Sequence, residues 1–154
     1  METFAVMTYS RPIGLSDLSS GTETILLVDD EEPVQYVVRE MLERRGYRVL
    51  VAGDGPAALK ASGEFHGDIQ LLLTDVLMPR MSGLEVAKCL ALERPSIKVL
   101  YISGYPETVL FAEERMSPGR YFLRKPFLAP TLARKVREAL DDHVASITMR
   151  HETL

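Results

Sequence analysis

The chain has a single cysteine, Cys89, among 154 residues. One thiol can neither close an internal disulfide nor build a cysteine-based metal cage. Long apolar stretches are missing too. Uninterrupted runs stop at about the length of Ile25-Leu26-Leu27-Val28, far short of the ~20 residues that cross a bilayer as a helix. The first residues include Glu2 and lack both a basic start and an apolar segment, so no secretory signal is expected. Positive charge is not in excess: 18 Lys plus Arg stand against 22 Asp plus Glu, a formal charge of −4. That balance speaks against nucleic acid as a direct partner. There is no internal repeat and no low-complexity tract. His66, His143 and His151 occupy loop or terminal positions without ligand spacing, and none is assigned a role. The expected location is the cytoplasm, with no direct membrane contact.

What is present is ordinary for a globular protein, with 46% apolar and 26% charged residues. The length suits one domain. Residues 1–22 lack periodicity and end in Ser19-Ser20-Gly21-Thr22, which predicts a flexible leader, a compact domain over 23–142 and a tail over 143–154. That tail leaves no room for a helix-turn-helix effector. Ile25–Val28, Val49–Ala52, Leu71–Leu73, Val99–Ile102 and a weaker Tyr121–Leu123 have the length of strands. Between them run helical patterns. Val34, Val37, Val38, Met41 and Leu42 share one helix face, and Gly46 is placed to end that helix in a left-handed conformation. Leu128, Leu132, Val136, Ala139 and Leu140 form a second stripe, and Cys89 is expected in buried packing among Val86, Leu90 and Leu92. Strands alternating with helices predict an α/β fold, a parallel sheet with helices on both faces.

In such a sheet, ligands bind beyond the carboxyl ends of the strands. The first strand is followed there by Asp29, Asp30, Glu31 and Glu32, the third by Asp75, the fourth by Ser103-Gly104 and the fifth by Arg124-Lys125-Pro126. Three aspartates gathered together repel by about 4 kcal/mol per pair at 4 Å and an effective dielectric near 20. Such a cluster either holds a proton or binds a cation, and oxygen ligands alone suit Mg²⁺. A carboxylate beside Mg²⁺ and a lysine can attack phosphorus, while a serine hydroxyl donates to a transferring oxygen. Gly104 leaves space for the incoming group. Phosphoryl transfer is the reaction class these residues fit best.

Four segments carry a family resemblance: Ile25-Leu26-Leu27-Val28-Asp29-Asp30-Glu31-Glu32, Thr74-Asp75-Val76-Leu77-Met78-Pro79-Arg80-Met81-Ser82-Gly83, Ser103-Gly104-Tyr105 and Lys125-Pro126-Phe127. In this order and spacing, over about Thr22 to Leu140, they resemble the receiver domain of two-component response regulators. The resemblance implies a three-layer, flavodoxin-like, five-stranded sheet in the order 2-1-3-4-5. It makes Asp75 the phospho-acceptor, with Mg²⁺ held by Asp29, Asp30, Asp75 and the Leu77 backbone carbonyl. Ser103 and Lys125 would contact the phosphoryl group, and the Lys125–Pro126 bond would be cis. The donor implied is a histidine kinase or a histidine phosphotransfer domain docking near Pro33–Arg45, and slow autodephosphorylation would follow. Output would pass through the fourth helix, fifth strand and fifth helix, roughly Pro106–Arg115 and Arg120–Asp142, a face the family also uses for homodimers.

Gly21-Thr22-Glu23-Thr24, Ser103-Gly104-Tyr105 and Ala133–Leu140 are most similar to receivers at the C-terminus of hybrid sensor histidine kinases. The leader would then belong to the linker of such a kinase. The family's switch couples Ser103 to an aromatic on the fifth strand. Here it is Phe122 where many relatives have tyrosine, so a switch must rest on packing, with Tyr101 as a second aromatic. Tyr105, two residues past Ser103, is placed to shield a phosphoryl group from water.

Plainer readings stand beside these. Asp29-Asp30 could be a solvated helix start, Asp75 a helix cap, Ser103 a turn residue and Lys125 a surface charge. Glu43-Arg44-Arg45 and Glu113-Glu114-Arg115 read as solvated helix faces. Two rival functions remain. An aspartyl-nucleophile phosphohydrolase of the haloacid-dehalogenase type wants a second aspartate two residues after Asp75, where this chain has Leu77. A pseudo-receiver would serve as an interaction module without phosphorylation. A P-loop hydrolase is disfavoured because no Gly-x-x-x-x-Gly-Lys-Ser/Thr occurs.

Overall fold

A computed structural model of the chain describes residues 19–110 and 121–142. The strands are β1 (Thr24–Val28), β2 (Arg48–Ala52), β3 (Leu71–Asp75), β4 (Lys98–Ser103) and β5 (Tyr121–Arg124). The helices are α1 (Glu32–Glu43), α2 (Gly55–Glu64), α3 (Gly83–Glu93), α4 (Glu107–Leu110) and α5 (Ala129–Asp141). All strands pair in parallel, in the order β2-β1-β3-β4-β5. This is the doubly wound three-layer sheet the sequence implies.

Every residue of β1 and β3 is buried, because helices cover both sheet faces. Side chains alternate between two cores. Ile25, Leu27, Leu71 and Leu73 pack with Val38, Met41 and Leu42 of α1 and with Leu132, Val136 and Ala139 of α5. Leu26, Val28 and Leu72 pack on the opposite face with Ala58 of α2 and Val86, Ala87 and Leu90 of α3. Each fully buried Leu or Ile contributes about 1.5–3 kcal/mol through removal of apolar surface from water.

Several local expectations shift. Leu128 is the residue before α5 and is 37% exposed, while Ala133 takes a place in the buried stripe. Cys89 is only half-buried and Leu92 is 85% exposed, so the cysteine sits on the flank of α3 and not in its core stripe. α1 ends at Glu43, and Gly46 follows with φ of 102°, the left-handed conformation expected of it. Its missing side chain also lets the Gly21 carbonyl approach, since a Cβ there would lie 2.3 Å from that oxygen. Residues 19–22, read as leader, are tied to the domain. Gly21 N–H donates to the Arg45 carbonyl, while Arg45 and Arg137 donate to the carbonyls of Ser19 and Ser20. The remainder of the expected leader, the tail with His143 and His151, and Glu113-Glu114-Arg115 lie outside the described residues. No described helix is long and apolar enough to cross a membrane.

Candidate functional site

Strand register brings the site together. Val28 pairs with Thr74, Thr74 with Tyr101 and Tyr101 with Phe122, one row across four strands. One residue further along come Asp29, just past the end of β1, and Asp75, which pairs with Ile102, and one further still Ser103 pairs with Arg124. Asp75 and Ser103 are the last residues of β3 and β4, so the strands run slightly longer than their apolar runs suggest.

Carboxylate oxygens of Asp29, Asp30 and Asp75 lie within 4.8 Å of one another. Asp29 is fully buried, Asp75 is 7% exposed and Asp30 faces solvent. Neither buried acid is a helix cap: Glu31 precedes α1, and Ser82 caps α3 in a reciprocal pair with Glu85. Lys125 is not a surface charge either. Its Nζ donates to Asp29 Oδ2 at 3.0 Å and to Asp75 Oδ2 at 3.1 Å, and lies 3.6 Å from Glu31 Oε1. Its peptide bond to Pro126 is cis.

The electrostatics follow from burial. Removal from water raises the pKa of Asp29, against the opposing pull of the Glu31 N–H and of Lys125. Burial likewise raises that of Asp75; Lys125 opposes the shift and the Asp29 charge adds to it. Burial alone would lower the Lys125 pKa, yet its hydrogen bonds and charge pairing with Asp29 and Asp75 hold it above its usual value. Three carboxylates face one ammonium, so the cluster retains an excess of negative charge. An all-oxygen donor set with that excess fits Mg²⁺.

The surroundings hold these groups in place. Asp29 Oδ1 accepts from the Glu31 N–H at 2.9 Å, and its carbonyl accepts from Gln35 Nε2 at 2.6 Å. Buried Thr74 donates its hydroxyl to the Asp75 carbonyl at 2.9 Å. Gly83 allows α3 to start directly against Asp75, because a Cβ there would lie 2.1 Å from the Asp75 carbonyl oxygen. Ser103 is 1% exposed, and its Oγ accepts from the Tyr105 N–H at 3.1 Å. A Cβ on Gly104 would meet nothing within 4 Å, so the rim is open there. Leu77, in the turn after β3, has a half-exposed side chain, Phe122 is partly buried against the core on the α3 side of the sheet, and Tyr105 is 56% exposed.

In the sequence motifs Glu31 and Thr74 are named without a role, and Gln35 is not named. Thr74 carried a usable signal, being a polar residue inside an apolar strand. Gln35 carried none, since its bond to the Asp29 backbone depends on how α1 leaves the loop.

An open parallel sheet with acids and a lysine gathered at its carboxyl edge defines the class of CheY-like receivers. Comparison with known proteins specifies the family. Residues 25–137 match the response regulator receiver domain, and the chain belongs to that family. Sensor kinase CckA of Brucella abortus is 37% identical over 123 residues, covering 79% of this chain and 13% of the kinase. The chain thus spans about an eighth of that relative. CpdR, a response regulator receiver protein of the same organism, is 29% identical over 75% of this chain and 95% of its own length. Among solved structures, the receiver domain of the hybrid histidine kinase CckA aligns with a TM-score of 0.65 at 37% identity, covering 77% of this chain and 99% of that one. The response regulator TrrA of Thermotoga maritima, crystallised with Mg²⁺ and BeF, aligns at 0.62 with 28% identity, covering 76% and 98%.

Proposed function

We propose that this receiver takes a phosphoryl group from the imidazole of a histidine kinase or histidine phosphotransfer domain onto Asp75, in a Mg²⁺-dependent reaction. The observation that carries the reading is the convergence of buried Asp29 and Asp75 on one lysine, with Asp30 at the rim. A carboxylate oxygen of Asp75 attacks phosphorus. The phosphorus–nitrogen bond breaks, its electron pair returns to the imidazole, and the ring takes up a proton from solvent. Asp29, Asp30, Asp75 and the Leu77 carbonyl are the residues that would hold Mg²⁺, which when bound offsets charge on the transferring oxygens.

Lys125 supplies a second positive charge. Its ammonium touches the Asp75 oxygen before transfer, so it is already placed for an oxygen of the phosphoryl group afterwards. The Ser103 hydroxyl donates to another, and Tyr105 covers the open side at Gly104. Water later hydrolyses the acyl phosphate. The donor docks around α1, and output passes through α4, β5 and α5 to a protein partner or by onward transfer, in the cytoplasm.

Incubation with Mg²⁺ and acetyl phosphate, followed by intact mass measurement, tests this. One phosphoryl adduct is expected on the wild-type chain and none on Asp75→Asn or without Mg²⁺. Absence of any adduct would support a pseudo-receiver, and rapid turnover of varied phosphate esters a hydrolase.

A further inference from the structure

The turn after β4 carries a contact outside the acidic pocket. Arg124, the last residue of β5, donates its Nε–H to the Gly104 carbonyl at 2.9 Å. That carbonyl belongs to the same peptide unit as the Tyr105 N–H, which donates to Ser103 Oγ at 3.1 Å. A peptide unit is planar, so its two ends turn together and gripping one fixes the other. Arg124 also pairs with Ser103 in the strand ladder, and the Lys125 N–H donates to the Ser103 carbonyl at 2.8 Å. The end of β5 therefore holds the Ser103 backbone directly and the Ser103 hydroxyl through the 104–105 peptide. Glycine at 104 leaves that peptide free to rotate when nothing grips it, since no side chain restrains its backbone.

We propose that Arg124 is a positioning residue for Ser103. It orients the 104–105 peptide so that the Tyr105 N–H occupies one acceptor site of Ser103 Oγ, leaving the hydroxyl proton to donate to the group on Asp75. The proposal rests on the Asp75 reading above. A serine hydroxyl has one proton and two acceptor sites, and Ser103 is buried, so its partners decide where the proton points. The guanidinium charge polarises the peptide it grips and strengthens the N–H donation at the other end. This gives β5 a polar hold on the serine that Phe122, having no hydroxyl, does not offer.

A double-variant cycle tests it, with the rate of adduct formation from acetyl phosphate and Mg²⁺ as the readout. Arg124→Ala is expected to slow the reaction about three- to tenfold, the size of one lost hydrogen bond. Ser103→Ala should slow it at least as much. The double variant should be no slower than Ser103→Ala alone, because Arg124 acts only through the hydroxyl. Arg124→Lys, which keeps a donor on a flexible stem, should recover part of the rate. Thermal midpoints are read in parallel, and should Arg124→Ala lose its folded signal, Arg124→Gln replaces it in the cycle. A wild-type rate in Arg124→Ala or in Ser103→Ala, or additive slowing in the double variant, would overturn the proposal. A wild-type chain that forms no adduct would overturn the Asp75 reading instead.

Discussion

Replacing Lys125 by methionine keeps the length of the side chain and removes its charge from between Asp29 and Asp75. The ammonium lies 3.0 and 3.1 Å from their oxygens, contacts of about 5 kcal/mol each in direct Coulomb energy at an effective dielectric near 20. The carboxylates, within 4.8 Å of one another, repel by about 3–4 kcal/mol on the same basis. Two effects reduce the net loss: Lys125 no longer has to be desolvated, and the acids can take up a proton. Breaking a buried ion pair from one side costs about 3–5 kcal/mol, and with these offsets a loss of about 3 kcal/mol at pH 8 is expected. The pH dependence has a definite sign. Both acids already have folded-state pKa values above the ordinary 3.8, so their contribution is most favourable below that value and declines as pH rises through the folded pKa. Without Lys125 the folded pKa values rise further, and the decline extends to higher pH. The destabilisation should therefore be smaller at pH 5 than at pH 8, and Mg²⁺ should restore more stability to the variant than to the wild type. Urea unfolding of metal-free protein at both pH values measures this. Equal losses at pH 5 and pH 8, or none at pH 8, would refute the reasoning.

Other consequences follow from single contacts. Gly83→Ala forces a methyl into the Asp75 carbonyl and should cost about 2–3 kcal/mol or more by overpacking, with slower phosphorylation because Asp75 moves; denaturant midpoints and adduct rates check both. Arg137 holds Glu23 through a hydrogen bond of 2.7 Å and keeps its carboxyl below the usual 4.5. That contribution is complete above about pH 4.5 and is lost as pH falls through the lower folded value, so Glu23→Gln should cost about 1–2 kcal/mol at pH 7 and progressively less as the pH is taken below 4.5. Tyr105→Ala should speed loss of phosphate from the phosphorylated chain, followed by intact mass over time. An unchanged or slower loss would remove Tyr105 from its shielding role.

The sheet was legible because β1, β3 and β4 are apolar runs too short for helices and too continuous for a half-exposed sheet. The acids and Lys125 were legible because parallel topology sends every strand's carboxyl end to one edge. What stayed hidden depends on distant partners. Arg124 meets Gly104 and Arg137 meets Glu23 across 20 and 114 positions, and nothing local in the sequence points either arginine to its partner. The stripe pattern puts Leu128 in the helix because apolar spacing continues smoothly into the residue before it, where the extended backbone turns the side chain outward. Ser19–Thr22 read as leader because glycine and serine suggest flexibility. Here Gly46 instead lets the Gly21 backbone approach closely, and Gly21 leaves room for the side chains of Glu23, Tyr47 and Arg137.

Reduction with borohydride converts an aspartyl phosphate to homoserine, which marks the residue that carried it. Applied after incubation with acetyl phosphate and Mg²⁺, peptide sequencing should find homoserine at position 75 and nowhere else. Homoserine at position 29 or 30, or phosphate retained on Ser103, would contradict the assignment of Asp75 as the acceptor.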